Sequence, residues 1–369
     1  MPALDGVRGV AVLMVIWFHT IGELLVRHPL DEIVGRVARS AWTGVDLFFA
    51  LSGFLITGIL LDTRGRRGYF RNFIVRRALR ILPLYAAAIV LVLYVLPAIG
   101  LLSPETAVEP RKHLRWFVLM VPNILVGYHG FRSGGEIAHF WSIGVEEQFY
   151  FIWPLVVAFV LPRQLRTVAV VLFLVSPFLR LFALGEGTPP RAVYTLMPTH
   201  WGGLVLGAFL AASLRTDVPV DKLRRWFFRL SVAGALVLLP IFVLQGGLTY
   251  LQRSMHLVGF SAVAIISAWV VLLAATSPAD SRTARVLGSR TLRFFGKYSY
   301  ALYIFHPVVI TMLAEAGWTD ESLRPVAGML LPAATVRAVA VLALSVAAAL
   351  ASWYLIERPA LSLKRHFPD

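Results

Sequence analysis

The sequence has no cysteine and little charge. None of its 369 residues is cysteine, and only 15% are Asp, Glu, Lys or Arg, against about a quarter in soluble domains. The first absence excludes disulfides, thiolate metal ligands and a cysteine-bound acyl intermediate. The second, together with 58% hydrophobic residues, argues against a water-soluble domain.

The few charges present are mostly basic. Lys and Arg number 35 against 20 Asp and Glu, which gives a formal net charge of +15. On a hydrophobic chain such an excess is more typical of membrane topology than of nucleic-acid binding. We therefore predict no nucleic-acid partner, and the sequence suggests no metal site.

Apolar stretches of about 20 residues, enough to cross about 30 Å of hydrocarbon, recur along the chain. They predict an all-α polytopic membrane protein with about ten transmembrane helices and one domain over residues 1–369. We expect membrane lipids as its surroundings and the bacterial cytoplasmic membrane as its location. The predicted spans are Leu4–Leu25, Ala41–Leu61, Ile81–Leu101, His139–Leu161, Thr167–Leu184, Trp201–Leu214, Leu230–Gln245, His256–Thr276, Tyr298–Ala316 and Thr335–Ile356.

One further apolar segment, Trp116–Gly127, is only about a dozen residues long and contains Pro122. Its length predicts a re-entrant or interfacial segment rather than a span. With ten spans and both termini cytoplasmic, the predicted inner loops hold about twice as many Lys and Arg as the outer loops, as the positive-inside rule requires.

Ionisable residues inside spans are costly and are functional candidates. In the first span, Arg8 and His19 are eleven residues apart, which is a rise of about 16 Å on nearly the same helix face. Arg8 is predicted near the cytoplasmic end and His19 in the outer half. The alternatives are that Arg8 anchors headgroups and that His19 is a neutral hydrogen-bonding contact between helices.

The second span places Asp46 at nearly the depth of His19. Gly53 and Thr57 fall on the Asp46 face, and Ser52 and Gly53 let a backbone or a ligand approach closely. We expect this face to be a cavity wall.

The fourth and ninth spans add further polar groups. In the fourth, Ser142 and Glu146 share a face and follow Trp141, and Glu146 lies in the outer half. In the ninth, His306 precedes Pro307 and either faces the cavity or fills the carbonyl gap of a kink.

A basic run stands at the start of the third span. Arg77 and Arg80, three residues apart, point the same way and can clamp a phosphate, and with Arg8 they form a cationic mouth. The alternative for these residues, and the interpretation we favour for Arg76, is a topology anchor that snorkels to headgroups.

These groups suit an acyl transfer from coenzyme A. The phosphates would stay among the arginines while the pantetheine arm runs along the stripe from Arg8 to His19. A histidine with a carboxylate near it is suited to deprotonate an acceptor hydroxyl. No covalent enzyme intermediate is then needed, although Ser52 or Ser142 as a nucleophile stays open.

Several motifs, in order, make the chain resemble the acyltransferase-3 family of integral membrane O-acyltransferases. The matching segments are Leu4-Asp-Gly-Val-Arg-Gly, Gly44-Val-Asp-Leu-Phe-Phe-Ala-Leu-Ser-Gly-Phe-Leu-Ile56, Arg76-Arg-Ala-Leu-Arg80-Ile-Leu-Pro83-Leu-Tyr85, Phe140-Trp-Ser-Ile-Gly-Val-Glu-Glu-Gln-Phe-Tyr150, Tyr298-Ser-Tyr-Ala-Leu-Tyr-Ile-Phe-His306 and Glu357-Arg-Pro.

The resemblance implies transfer of an acetyl or other short acyl group from acyl-CoA, most simply acetyl-CoA, to a hydroxyl of a glycan or glycosylated small molecule. It carries Arg8 and His19 over as residues that the family requires and Arg77 with Arg80 as a second arginine pair. Many relatives carry a fused extracytoplasmic domain, whereas this sequence ends soon after the tenth predicted span. We therefore expect a stand-alone enzyme here. The competing hypothesis is a transporter or flippase of a glycan or acylated substrate.

The residue roles expected from the sequence form three groups, and the oligomeric state, including a homo-oligomer, stays open. The catalytic residues are His19, Asp46 and Glu146. The cofactor-binding residues are Arg8, Ser52, Gly53, Arg77 and Arg80. The substrate-binding residues are Trp141, Ser142 and His306.

Overall fold

A computed structural model describes residues 1–22, 24–216, 218–319 and 321–367 of the chain. These residues are almost entirely helical, and they contain no β-strand beyond one isolated bridge between Val326 and Met329. The prediction of an all-α protein is confirmed.

Ten α-helices of at least twelve residues organise the described part of the chain. Short helices and turns join them, among them Pro29–Arg39 before the second long helix and Phe131–Phe140 before the fourth. The long helices are α1 Pro2–Ile21, α2 Gly44–Thr63, α3 Tyr69–Val90, α4 Trp141–Phe159, α5 Pro162–Gly185, α6 Gly202–Ser213, α7 Val220–Gln245, α8 Phe260–Thr276, α9 Ser299–Glu315 and α10 Leu331–Ser352.

Seven helical runs in the described residues are long and apolar enough to cross a membrane. They contain α1, α2, α3, α5, α7, α8 and α10. The helices α6 and α9 are apolar but shorter, and Glu146, Glu147 and Gln148 lower the mean hydropathy of α4. The chain is thus a multi-pass membrane protein, while the count of ten spans and the side of the termini stay predictions.

The segment Trp116–Gly127 is broken rather than continuous. Two short helices, Leu114–Val118 and Pro122–His129, meet at Met120, whose backbone has a left-handed φ of 58°. The second helix has 8 residues and so rises only about 12 Å, which is less than half of a hydrocarbon layer. The segment is therefore too short to span.

Glycine allows α2 and α6 to pack at backbone distance. A Cβ added to Gly53 would lie 1.9 Å from the carbonyl oxygen of Leu204, and one added to Gly207 would lie 2.0 Å from that of Ala50. Only glycine tolerates such an approach, which is a common device between membrane helices. This packing fixes which face of α2 is left for the site.

Candidate active site

A cavity of ≈ 120 Å³ lies between α1, α2, α3, α4 and α9. It combines a polar side with a largely apolar wall. Its lining residues are Arg8, Val45, Phe48, Phe49, Leu51, Ser52, Leu55, Ile56, Arg77, Arg80, Ile81, Ser142, Ile143, Glu146, Tyr150, Ser299, Tyr300 and Tyr303.

Three arginines meet at this cavity, as the sequence analysis expected. Arg8 comes from α1, whereas Arg77 and Arg80 come from successive turns of α3. Arg8 also forms an ion pair of 2.6 Å with Asp5, so part of its charge is already compensated. The guanidinium of Arg77 lies 5.8 Å from the ring centre of Tyr150 and 5.9 Å from that of Phe73, which are cation–π distances.

Arg76 takes no part in the cavity. Its guanidinium donates a hydrogen bond of 2.8 Å to the carbonyl oxygen of Phe367 near the end of the described chain. One residue is about 100° of helix rotation, so Arg76 and Arg77 cannot face the same way. The structure therefore separates Arg76 from Arg77 and Arg80.

Glu146 is the one carboxylate among the cavity's described lining residues. It lines the cavity together with Ser52 and Tyr150, and the hydroxyls of those two residues bond each other. The lining thus carries three guanidinium groups against one carboxylate. Such an excess of positive charge favours an anionic ligand, and guanidinium groups suit phosphate in particular.

Ser142 and Tyr303 close the end of the cavity that faces away from Arg8, toward the C-terminal end of α1. The hydroxyl of Ser142 lies 2.7 Å from that of Tyr303, which in turn donates a hydrogen bond of 2.9 Å to the backbone carbonyl of His139. The ring of Tyr303 lies 5.8 Å from the ring of His306. Tyr303 therefore stands between the cavity and the histidines beyond it.

His19 lies beyond this end and does not line the cavity. It is an exposed residue two positions before α1 ends, and its Nδ1 lies 3.3 Å from Nε2 of His306. The ring of His139 lies 5.6 Å from that of His306. The structure thus brings His19 and His306 together and places Arg8 in the cavity, with Tyr303 between the two groups.

The local hydrogen bonds define which nitrogen of His19 carries the proton. Its Nδ1 lies 2.9 Å from the carbonyl oxygen of Val15, and a carbonyl can only accept, so Nδ1 carries the hydrogen. By the same argument Nδ1 of His306 donates to the carbonyl of Leu302 at 3.1 Å, and its Nε2 is an acceptor that faces His19. The neutral His19 ring therefore has its free lone pair on Nε2.

Asp46 lies elsewhere, although the sequence analysis expected it near His19. Its Oδ1 lies 3.0 Å from Nε2 of His200, whose Nδ1 lies 2.6 Å from the carbonyl oxygen of Tyr194. Both nitrogens of this ring face oxygen atoms, so the His200 ring is held between the Asp46 carboxyl group and the backbone of Tyr194. Buried Arg180 lies beside this pair in the same small void.

The expectation that the Asp46 face of α2 forms the cavity wall is wrong. Gly53 on this face contacts the backbone of α6 rather than the cavity, and Thr57 accepts a hydrogen bond of 2.8 Å from the indole of Trp153. The close packing of α2 on α6 uses that face, so a neighbouring face with Ser52 lines the cavity. The sequence analysis allowed either a backbone or a ligand to approach Gly53, and in the structure it is the backbone of Leu204.

Trp141 is buried in an aromatic cluster and does not line the cavity. Its ring lies 4.6 Å from that of Tyr194 and 5.9 Å from that of His200. Its neighbour Ser142 does face the cavity. His306 lies against His19. The three residues expected to bind substrate thus occupy three different environments.

Several site residues were missed from the sequence. Tyr150, Tyr303 and His139 lie in or beside motif segments, but nothing in their spacing shows which helix they face. His200 and Arg180 lie in or beside apolar spans, so the cost of burying charge was an available signal.

No group of three or more His, Cys, Asp or Glu in the described residues has the geometry to hold a metal ion.

The chain's residues 1–356 match a family model described as an acyltransferase domain. The chain belongs to the acyltransferase-3 family. The predicted resemblance to this family is confirmed. The arginines of the cavity and His19 lie within the matched region.

Curated relatives of this family are similar over most of the chain. A peptidoglycan O-acetyltransferase OatA of Listeria monocytogenes is 29% identical over 334 residues, which cover 85% of this chain and 50% of the relative. The O-acetyltransferase OatA of Staphylococcus aureus is 28% identical, with 84% and 51% covered. A putative peptidoglycan O-acetyltransferase YrhL of Bacillus subtilis is also 28% identical, with 86% and 50% covered.

The chain spans about half the length of these relatives. The other half of each relative has no counterpart in the match. No solved structure matches the chain.

Proposed function

We propose that this protein transfers an acetyl or other short acyl group from acyl-CoA to a hydroxyl of a carbohydrate-containing acceptor in the bacterial cytoplasmic membrane. Family membership supports O-acyl transfer, and the names of the curated relatives support a glycan acceptor. The observation that carries the donor assignment is the cavity lined by Arg8, Arg77 and Arg80.

The donor's phosphates are proposed to bind at the three arginines. Guanidinium groups bind phosphate through charge-assisted, often bidentate hydrogen bonds. Arg77 and Arg80 carry most of this role, because Arg8 already pairs with Asp5 at 2.6 Å. Ser52, Tyr150 and Glu146 line the path beyond the arginines, where the neutral pantetheine arm would lie.

His19 is proposed as the general base through its Nε2. The hydroxyl proton of the acceptor passes to Nε2 while the acceptor oxygen attacks the thioester carbonyl carbon. When the tetrahedral intermediate collapses, the carbon–sulfur bond breaks and the proton on Nε2 passes to the departing thiolate. The products are the O-acyl acceptor and coenzyme A, and His19 returns to its starting state.

Tyr303 is proposed to move when the donor binds. The structure places its ring between the cavity and the histidines, held by bonds to Ser142 and to the carbonyl of His139. A thioester that reaches His19 must pass this point. A rotation of Tyr303 would exchange two hydrogen bonds of ordinary strength, which is a small cost beside the binding energy of a polyanionic donor.

The acceptor is proposed to arrive at the end of α1 opposite Arg8. His19 is exposed there, and the predicted topology places that end on the non-cytoplasmic side. Donor and acceptor would then meet from opposite sides of the membrane. This proposal gives Ser142 a place at the boundary between the two substrates and His306 the role of supporting His19.

The two carboxylates receive different roles. Glu146 is proposed to hold Ser52 and Tyr150 in place and to balance part of the arginine charge. Asp46 contacts His200 and not His19, so we propose that it positions α2 rather than touches the reacting atoms.

The test uses purified full-length protein in detergent, isotopically labelled acetyl-CoA and a panel of hydroxylated acceptors that includes peptidoglycan fragments and glycolipids. Coenzyme A release and a labelled acceptor, both lost in His19→Ala, would support the proposal. If coenzyme A is released no faster than in a protein-free blank while reconstituted vesicles still move the acceptor, the transport hypothesis replaces it.

A further inference from the structure

A second cleft, of about 490 Å³, lies between the start of α5 and the start of α7. It shares no lining residue with the arginine cavity. None of its residues has a part in the proposed transfer reaction. Its composition points to a different kind of ligand.

Basic side chains from two helices converge on this cleft. Arg163 and Arg166 are three residues apart on the first turns of α5, so they share a face, and Lys222 comes from the first turn of α7. The described lining residues include no Asp or Glu. The cleft therefore has the charge of an anion-binding site, built from positions about 55 residues apart in sequence.

Apart from Thr167, the remaining wall of the cleft is apolar, and part of it is exposed. Trp226 is 54% exposed and Val171 is 50% exposed, and both line the cleft beside the basic groups. The ammonium of Lys222 lies 5.0 Å from the ring centre of Trp226. A basic group at a helix end, followed by exposed apolar side chains, matches the change from headgroup to hydrocarbon across a bilayer.

The predicted topology places the same region on the cytoplasmic side. Anionic lipids are concentrated in the cytoplasmic leaflet, and basic pockets between membrane helices on that side bind their headgroups. A soluble anion would gain nothing from the exposed apolar wall. A lipid would use the basic groups and the apolar wall together.

We propose that this cleft binds the phosphate headgroup of an anionic phospholipid, with its acyl chains against Val171 and Trp226. Arg163, Arg166 and Lys222 hold the phosphate. The bound lipid fills the space between α5 and α7 at the membrane surface and stabilises their arrangement. This site is independent of the acyl-CoA cavity and of the transfer reaction.

The experiment compares full-length protein in nanodiscs of pure phosphatidylcholine with nanodiscs that contain increasing phosphatidylglycerol. Bound lipid is counted by native mass spectrometry, and the thermal midpoint is followed in parallel. The cleft variant carries Arg163→Gln, Arg166→Gln and Lys222→Gln. The matched control carries Arg224→Gln and Arg225→Gln with Arg229→Gln, on α7 but outside the lining of the cleft.

Phosphatidylglycerol is expected to bind and to raise the thermal midpoint of the wild type and of the control. The cleft variant should bind it about 100-fold more weakly, since each basic residue near an anionic surface contributes about 1 kcal/mol. Equal retention by the cleft variant and the control would overturn the proposal. A wild type that binds phosphatidylglycerol no better than phosphatidylcholine would also overturn it, and this result does not depend on whether the variants fold. So would soluble glycerol phosphate that raises the thermal midpoint as much as the lipid does.

Discussion

Replacing His306 by leucine tests whether this residue supports His19 as the base. The variant removes the Nε2 acceptor that lies 3.3 Å from Nδ1 of His19 and leaves a side chain of similar bulk. When His19 takes up a proton, its Nδ1 hydrogen bond becomes charge-assisted. Such bonds contribute about 1.5–3 kcal/mol.

The lower end of that range is the better expectation here, because the carbonyl of Val15 lies closer to the same nitrogen, at 2.9 Å. A loss of about 1.5 kcal/mol predicts a decrease in kcat of about tenfold. The KM for acetyl-CoA should stay unchanged, because His306 does not line the donor cavity.

The assay is steady-state release of coenzyme A by purified variants with saturating acceptor. His306→Gln is the matched comparison, since its carbonyl oxygen can replace the lost acceptor and should recover part of kcat. Nitrogen chemical shifts of the labelled His19 ring report the proton position directly. An unchanged kcat in His306→Leu, or an equal loss of donor binding, would refute the reasoning.

Three further predictions follow from the same geometry. His19→Ala should lower kcat by about 10²–10⁴-fold and keep acetyl-CoA binding, measured by calorimetry. Arg8→Ala should instead act first on acetyl-CoA binding. Similar losses of binding in both variants would contradict the division of roles. Arg77→Ala should weaken acetyl-CoA binding by about tenfold or more. Arg76→Ala is the matched control that should not, because the Arg76 side chain bonds the carbonyl oxygen of Phe367 instead of lining the cavity. Burial raises the pKa of Glu136, which lies in the short helical segment Phe131–Phe140, outside the long helices, and accepts a hydrogen bond from Thr311. As the pH rises, the unfolded chain loses this proton first, so the contribution of Glu136 to stability falls as the pH rises through the raised pKa. Glu136→Gln should therefore raise the thermal midpoint above that pH and show no such gain in acid.

The sequence by itself determined the class of the protein and the chemistry of its main residues. Long apolar runs with few charges have no stable alternative to membrane helices, since each backbone group must be satisfied within the segment. The cost of a charge among apolar residues identified Arg8, His19 and Glu146 as candidates without any coordinates. Helical periodicity also placed Arg77 and Arg80 on one face, and the structure brings both of them to the same cavity as Arg8.

Only the tertiary structure decided which face of each helix meets which neighbour. Asp46, Gly53 and Thr57 share one face of α2, but that face packs on α6 and α4, because glycines at the contact with α6 allow the two backbones to touch. Depth along a helix follows from sequence position, whereas the direction of a side chain depends on the rotation of that helix and on its partners. For the same reason the pairing of Asp46 with His200, more than 150 residues away, has no local signal. The place of Tyr303 between Arg8 and His19 likewise depends on how α9 is seated against α1, which no single span encodes.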